Sequence, residues 1–175
     1  RYGNISDPLN YDATERIGAG YGMVKYTWDK WELIGGVRVE HTDQGYSLKF
    51  PTENADPEGR QRYTDVLPSF HAKYGVHKNA NIRFSYGRSI NRPSFFEIVP
   101  YSIINEDYKE KGNPDLKHTV ADNIDLRYEF FPKTSEQFMV GLFYKRLNNP
   151  IEYGLLNEGQ DVYYKPMNFC GATDL

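Results

Sequence analysis

The sequence predicts an all-β, antiparallel chain, and three observations carry that reading. Apolar and polar residues alternate with period two over long stretches, the periodicity of a half-buried strand. Composition favours strands and turns, with 15 Tyr, 15 Gly and 10 Pro against 2 Trp among 175 residues. Short and long connections take turns along the chain, which is a hairpin rhythm.

The elements follow in order. From Arg16 to Lys25, Ile17, Ala19, Tyr21 and Met23 read as the apolar face, opposite Arg16, Gly18, Gly20, Gly22 and Val24. From Trp31 to Thr42, Trp31, Leu33, Gly35, Val37 and Val39 oppose Glu32, Arg38 and Glu40. From Asp65 to Val76, Val66, Pro68, Phe70, Ala72 and Tyr74 oppose Asp65, His71 and Lys73. From Ala80 to Ile90, Ile82, Phe84 and Tyr86 oppose Asn81, Arg83 and Ser85. From Val120 to Phe130, Ile124, Leu126, Tyr128 and Phe130 oppose Asn123, Asp125, Arg127 and Glu129. Phe138, Val140, Leu142 and Tyr144 form the next apolar face, and a weaker seventh strand runs from Asp161 to Phe169. Short links are expected at Asp29-Lys30, His77 to Asn79 and Pro132 to Glu136. Long ones are expected from about Lys49 to Arg62, Asn91 to His118 and Asn148 to Gln160.

Several of these strands exceed the usual soluble length of about 5–6 residues and match the roughly 9–11 that cross a bilayer at a tilt. Long strands, one apolar and one charged face, and alternating turn lengths are the pattern of an antiparallel up-and-down transmembrane β-barrel. Lipid offers no hydrogen-bond partners, so such a sheet must close and turn its apolar face outward. Alternation alone also fits a soluble β-sandwich ligand-binding module of the carbohydrate-binding type, whose apolar face points inward. The discriminator is whether Val37, Phe70, Ile82 and Leu126 are buried against a second sheet. About seven strands fall short of the smallest common barrel, so the chain reads as an incomplete barrel segment of a longer protein.

Other classes are disfavoured. A net charge of -3 lacks the basic excess of a nucleic-acid binder. No apolar run is long enough for a membrane-spanning helix. Cys170 is the only cysteine, so no internal disulfide framework exists. The four histidines, His41, His71, His77 and His118, lack metal-ligand spacing, and no cofactor motif or catalytic set appears. Asn4-Ile5-Ser6 matches a glycosylation acceptor.

Four stretches carry a family resemblance: YTDVLPSFHAKYGV (Tyr63–Val76), NIRFSYGRSINRPSFFEIVPY (Asn81–Tyr101), KGNPDLKHTVADNIDLRYEFF (Lys111–Phe131) and GLFYKRLNNPIEY (Gly141–Tyr153). Their order on successive hairpins resembles the barrel of TonB-dependent outer-membrane receptors of the Bacteroidetes type. Glu15 to Thr42 resembles an earlier hairpin of the same group. The resemblance implies a bacterial outer-membrane location and lipid as the surrounding partner. It implies a plug domain, outside this sequence, and a TonB complex engaged through the missing N-terminal part. It also admits a surface lipoprotein partner. It implies no enzymatic chemistry: the protein would import a chelate, glycan or peptide. Short turns would face the periplasm, and the segments around Asp56, Asn105 and Asn157 the exterior. A smaller porin or adhesin barrel without a plug is the third reading.

The candidate contact residues follow from that frame. Arg92, beside Pro93 at a strand exit, suits a plug or an anionic ligand group, or a local salt bridge at the rim. In the loop after it, Phe95 and Phe96 suit packing. Tyr101 and Tyr108, near Glu106, Asp107, Lys109, Glu110 and Lys111, could equally pack or stack on a ligand. Gly112-Asn113-Pro114-Asp115-Leu116 is a turn signal that returns the chain to the sheet. Arg38 with Glu40, Arg127 with Glu129, and Arg83 belong to the charged face, where such rows form ion-pair ladders or meet the plug.

Overall fold

The computed structural model describes residues 10–51, 56–104, 108–133, 135–158, 161–169 and 172–174. Asn4 to Ser6, Asn105, Glu106, Asp107 and Cys170 lie outside the described residues.

Six long strands form a wall: β1 (Tyr11–Trp28), β2 (Trp31–Leu48), β3 (Glu58–His77), β4 (Ala80–Asn91), β7 (Thr119–Lys133) and β8 (Glu136–Asn148). They pair antiparallel in the order β1-β2-β3-β4-β7-β8, and the three-residue β11 (Ala172–Asp174) continues the sheet beside β8. The sheet is open along this chain, a wall segment and not a closed cylinder. Two-residue turns at Asp29-Lys30 and Lys78-Asn79 close two hairpins, with Asp29 at φ 50°, a left-handed conformation that Asp tolerates in a tight turn.

Directly paired residues of an antiparallel ladder point to the same side, so the register assigns every face. Val37 pairs with Pro68, Phe70 with Tyr86, Phe84 with Leu126, and Leu126 with Leu142. One face is therefore continuous across the wall. On β2 it runs Trp31, Leu33, Gly35, Val37, Val39 over nine positions, close to the roughly 9–11 that cross a bilayer. On β3 it holds Val66 to Tyr74 in alternate positions, on β4 Ile82 to Tyr86, on β7 Ile124 to Phe130 and on β8 Phe138 to Tyr144. No charged residue stands on this belt.

The belt is bare. Val37 is 45% exposed, Phe70 and Ile82 39%, and Leu126 45%. Nothing among the described residues covers them, so the soluble-sandwich reading fails on its own discriminator. Trp31 lies 4.7 Å from Tyr74 at the short-turn end of the belt, where an interfacial aromatic girdle belongs.

Three sequence expectations need correction. Ile17, Ala19, Tyr21 and Met23 do not share the apolar belt. Tyr21 pairs with Arg38 and Ala19 with Glu40, so they stand on the charged side, while Gly18, Gly20, Gly22, Val24, Tyr26 and Trp28 continue the belt. A two-residue turn pairs Trp28 with Trp31, which exchanges odd and even positions between the two strands. Second, the segment at Asp161–Phe169 is a strand, β10 (Asp161–Asn168), but it leaves the wall and joins a second sheet. Third, part of the expected long link after Asn148 is itself a strand, β9 (Ile151–Glu158).

The second sheet has the order β5-β6-β10-β9, with β5 (Ser102–Ile104) and β6 (Lys109–Lys111). It caps the end of the wall opposite the short turns, together with the single-turn helix α1 (Phe95–Ile98). The apolar core lies here. Tyr46, Leu48, Ile98, Val99 and Leu116 form one buried cluster, with Tyr11, Phe95 and Ile151 packed against it.

Candidate functional site

The charged face of the wall gathers into a polar network beneath the cap. Alternate positions of β2 supply Arg38, Glu40, Thr42 and Gln44, and their partners on β3 are Leu67, Asp65, Tyr63 and Gln61. Glu40, Thr42 and Gln44 are buried. Buried polar groups must be hydrogen-bonded, and these are. Arg92 reaches down from the end of β4: its guanidinium pairs with Glu40, and its Nε donates to Thr42 Oγ1 at 3.1 Å. Arg38 Nε reaches the other oxygen of Glu40 at 2.5 Å, so one carboxylate joins two arginines. Gln44 Nε2 donates to Glu15 Oε1 at 2.9 Å and to the Pro93 carbonyl at 3.3 Å.

A second group lies beside it. His118 Nε2 and Asp65 Oδ1 are 2.8 Å apart, and the His118 ring stacks on Tyr63 at 4.1 Å. Asp65 Oδ2 is buried with no hydrogen-bond partner among the described residues. Nearer the short turns, Arg83 Nε pairs with Glu129 Oε2 at 2.8 Å across β4 and β7, and Arg127 stands opposite Arg83 in the same register.

The expected contact residues therefore separate into groups. Arg38, Glu40 and Arg92 meet in one cluster; Arg83, Arg127 and Glu129 share a second patch on the same face. Tyr101 belongs to neither. It is 2% exposed, its ring lies 4.7 Å from Phe96, and its hydroxyl donates to Glu110 Oε1 at 2.8 Å. Burial, with the Glu110 carboxylate second, pushes the Tyr101 phenol well above its ordinary value. Tyr108 is exposed on the cap, edge-on to Tyr164 at 5.6 Å, and Tyr164 stacks on Tyr153 at 5.0 Å. Lys111 Nζ sits 3.5 Å above the Tyr163 ring.

The turn at Gly112 to Leu116 does more than reverse the chain. A Cβ on Gly112 would stand 1.8 Å from the Val99 carbonyl oxygen, so the two backbones pass at a distance open only to glycine. Asn113 N donates to the Glu97 carbonyl at 2.6 Å, and Asn113 Nδ2 to the Pro166 carbonyl at 2.9 Å. Gln61 Nε2 donates to the carbonyls of Pro114 and Leu116 at 2.7 and 3.0 Å. The turn thus staples α1, β3 and β10 together. Ser94 starts α1 with a capping box closed by Glu97, which fixes the chain just after Arg92-Pro93.

Sequence reasoning missed Thr42, Gln44, Gln61, Tyr63, Asp65 and His118 as parts of the network. The signal was present: positions 40, 42 and 44 continue the polar alternation of β2 past the length a bilayer needs. Among the described residues, no three His, Cys, Asp or Glu side chains gather as metal ligands would.

Comparisons with known proteins agree with this architecture. A family model described as the outer membrane protein beta-barrel family matches residues 3–173. No curated protein matches the chain. Among solved structures, the siderophore receptor PirA from Pseudomonas aeruginosa is similar over 94% of this chain and 39% of its own, at 14% identity and TM-score 0.61. A variant of the ferric enterobactin receptor PfeA from the same organism, in complex with enterobactin, is similar over 92% of this chain and 32% of its own, at 14% identity and TM-score 0.58. The chain thus spans about a third of the length of these receptors. At such identities the likeness is one of fold. The uncovered apolar belt, the buried polar network on the opposite face and the family match together place the chain in the bacterial outer membrane, and it belongs to the outer membrane protein β-barrel family.

Proposed function

We propose that the chain is a wall and cap segment of a TonB-dependent outer-membrane receptor that imports a ligand with energy from the inner-membrane complex. The observation that carries this reading is the concentration of buried, hydrogen-bonded charge on the inner face beneath the cap. A plain porin encloses a water-filled channel, whereas large transporter barrels enclose a plug. A face on which Glu40, Thr42 and Gln44 are already buried by the returning Arg92 loop suits a lumen with solid contents.

In this reading the chain is part of one barrel domain, and a plug domain outside it occupies the lumen. Arg38, Glu40, Arg92, Arg83, Arg127 and Glu129 face the plug. The cap is extracellular, with Tyr108 reaching the ligand and the buried Tyr101 holding the cap in shape. The protein performs no chemistry; binding outside, withdrawal of the plug from within, and passage through the lumen make up its cycle. One similar structure is named a siderophore receptor and the other a ferric enterobactin receptor, so a metal chelate is one ligand class, beside a glycan or a peptide. A surface lipoprotein would dock on the cap.

The experiment is uptake by cells carrying the intact parent protein, with radiolabelled ferric chelates, oligosaccharides and peptides as probes. Uptake of one class that stops when an uncoupler collapses the inner-membrane proton gradient supports the reading. Uptake of small solutes that ignores the uncoupler returns the protein to the porin reading.

A further inference from the structure

Three cations stand side by side on the inner face near the short turns. Lys73 on β3 is the register partner of Arg83 on β4, and Arg83 is the partner of Arg127 on β7. Neighbouring strands lie roughly 4.8 Å apart, so the three backbone positions fall within about 10 Å. Like charges directly opposite one another destabilise a sheet, so such a row calls for an anion. The wall supplies little of it. Glu32, the partner of Lys73 on β2, is turned to Lys25 at 3.2 Å. Glu129 is buried and pairs with Arg83. Among the described residues, Lys73 and Arg127 form no ion pair, and neither does Asp125 one row toward the cap. A cleft of about 320 Å³ opens over the row, lined by Glu32, Ile34, His71, Lys73, Arg83 and Ser85. Arg127 is exposed on the next strand, and the Arg83 side chain stays 48% exposed even with Glu129 engaged.

We propose that this row is an oxyanion site, binding the carboxylate or phosphate groups of an anionic ligand at the short-turn mouth of the lumen. Two guanidiniums and an ammonium present more donors than Glu129 takes up. Guanidinium forks match the paired oxygens of carboxylate and phosphate, and the ammonium adds a point charge beside them. Ser85 and His71, partners in the next row, add further hydrogen-bonding groups. The row lies one residue from the Trp31–Tyr74 pair at the short-turn end of the belt, so a bound anion stands at the end of the passage and not at its middle. The site makes the imported ligand an anion. It rests on the reading above that this face lines a lumen, and it needs neither the plug nor energy coupling.

The test uses the intact parent protein, purified in a neutral detergent at low ionic strength, with radiolabelled citrate and radiolabelled pyrophosphate as separate probes. Equilibrium dialysis reads the bound anion. Both probes should bind, and added salt should weaken both. The Lys73→Gln, Arg127→Gln variant should lose about tenfold in affinity per cation removed. Arg83 is left in place, since without it the buried Glu129 would stand unpaired. Asp125→Asn removes a neighbouring negative charge and should tighten binding. Lys145→Gln, two rows toward the cap on the same face, should leave it unchanged. No binding of either probe to the unaltered protein, the result expected if a carboxylate of the plug fills the row, overturns the proposal. So does a folded double variant that binds like the unaltered protein. If the double variant does not fold, the sign of the Asp125→Asn effect decides. Uptake that ignores the uncoupler would refute energy coupling and leave this site standing, so the two failures are told apart.

Discussion

The wall and the cap of this molecule solve opposite problems. The wall leaves its apolar residues bare and buries charge: Leu126 and Leu142 are exposed, while Glu40 and Glu129 are buried. The cap does the reverse, closing Ile98, Val99 and Leu116 into a small core and presenting tyrosines and lysines outside. The difference teaches which solvent each part was built for. A bare apolar belt is stable only where the surroundings are apolar, and a sealed core is needed only where they are water.

The sharpest way to break the comparison is to make the same loss in both regions. Leu116→Ala removes a side chain sealed in the cap and should cost about 2–5 kcal/mol of cap stability. It would be read as faster protease cleavage of the cap in the folded parent protein. Leu142→Ala on the belt should leave cap cleavage unchanged. Next in size, Leu126→Arg on the belt should cost about 2–4 kcal/mol of stability near the bilayer midplane. Asp125→Arg, one residue away and facing inward, should cost far less. The readout is the folded fraction of the parent protein in lipid vesicles, and equal effects would contradict the assignment of faces.

A smaller effect is expected where the two regions join. Arg92→Ala removes one of the two cations on Glu40 and should cost about 1–3 kcal/mol. It should loosen the cap more than the wall, seen as faster hydrogen exchange at Ser94 to Val99 than along β4. The smallest effect concerns pH. Hydrogen bonding to Arg60 holds the Asp43 carboxyl at about 2, below its ordinary 3.8. A depressed carboxylate contributes stability above its ordinary value and loses it as pH falls toward the folded one. The Asp43 cluster should therefore persist at pH 4 and weaken only between about 4 and 2. Infrared titration of the carboxylate band in the parent protein, against Asp43→Asn, checks this.

Much of this comparison is visible in the residues themselves. On β2, β3, β4 and β7 one face is apolar and the other carries charge, so period two gave strand, face and bilayer length together; on β8 Met139 and Phe143 make the opposite face apolar too, and the pairing with β7 assigns the face. On β1 the same test failed. One face holds Gly18, Gly20 and Gly22, the other Ile17, Tyr21 and Met23, and hydrophobicity alone picks the wrong one. The turn decides it: Asp29-Lys30 is two residues long, so Trp28 must pair with Trp31 and parity must change across the hairpin. The cap was harder to read. β5 and β6 are three residues each, too short for any period to show, and β6 finds its partner β10 far along the chain. Their pairing depends on the staple at Gly112 to Leu116, whose contacts to Val99, Gln61 and Pro166 are tertiary. Arg92 was legible as a special arginine at a strand exit, but its partners Glu40 and Thr42 come into reach only through the β2–β3–β4 register.

The measurement that bears most directly on the wall is spin-label accessibility in lipid vesicles. Single cysteines would be placed at positions 125 and 126 of the intact parent protein, in a background with Cys170→Ser. A label at 126 should collide with dissolved oxygen and be shielded from a water-soluble nickel chelate, and a label at 125 should show less contact with oxygen than its neighbour. Alternation of this kind over Ile124 to Phe130 is what a lipid-facing belt requires. Equal accessibility at both positions, or nickel contact at 126, would contradict it.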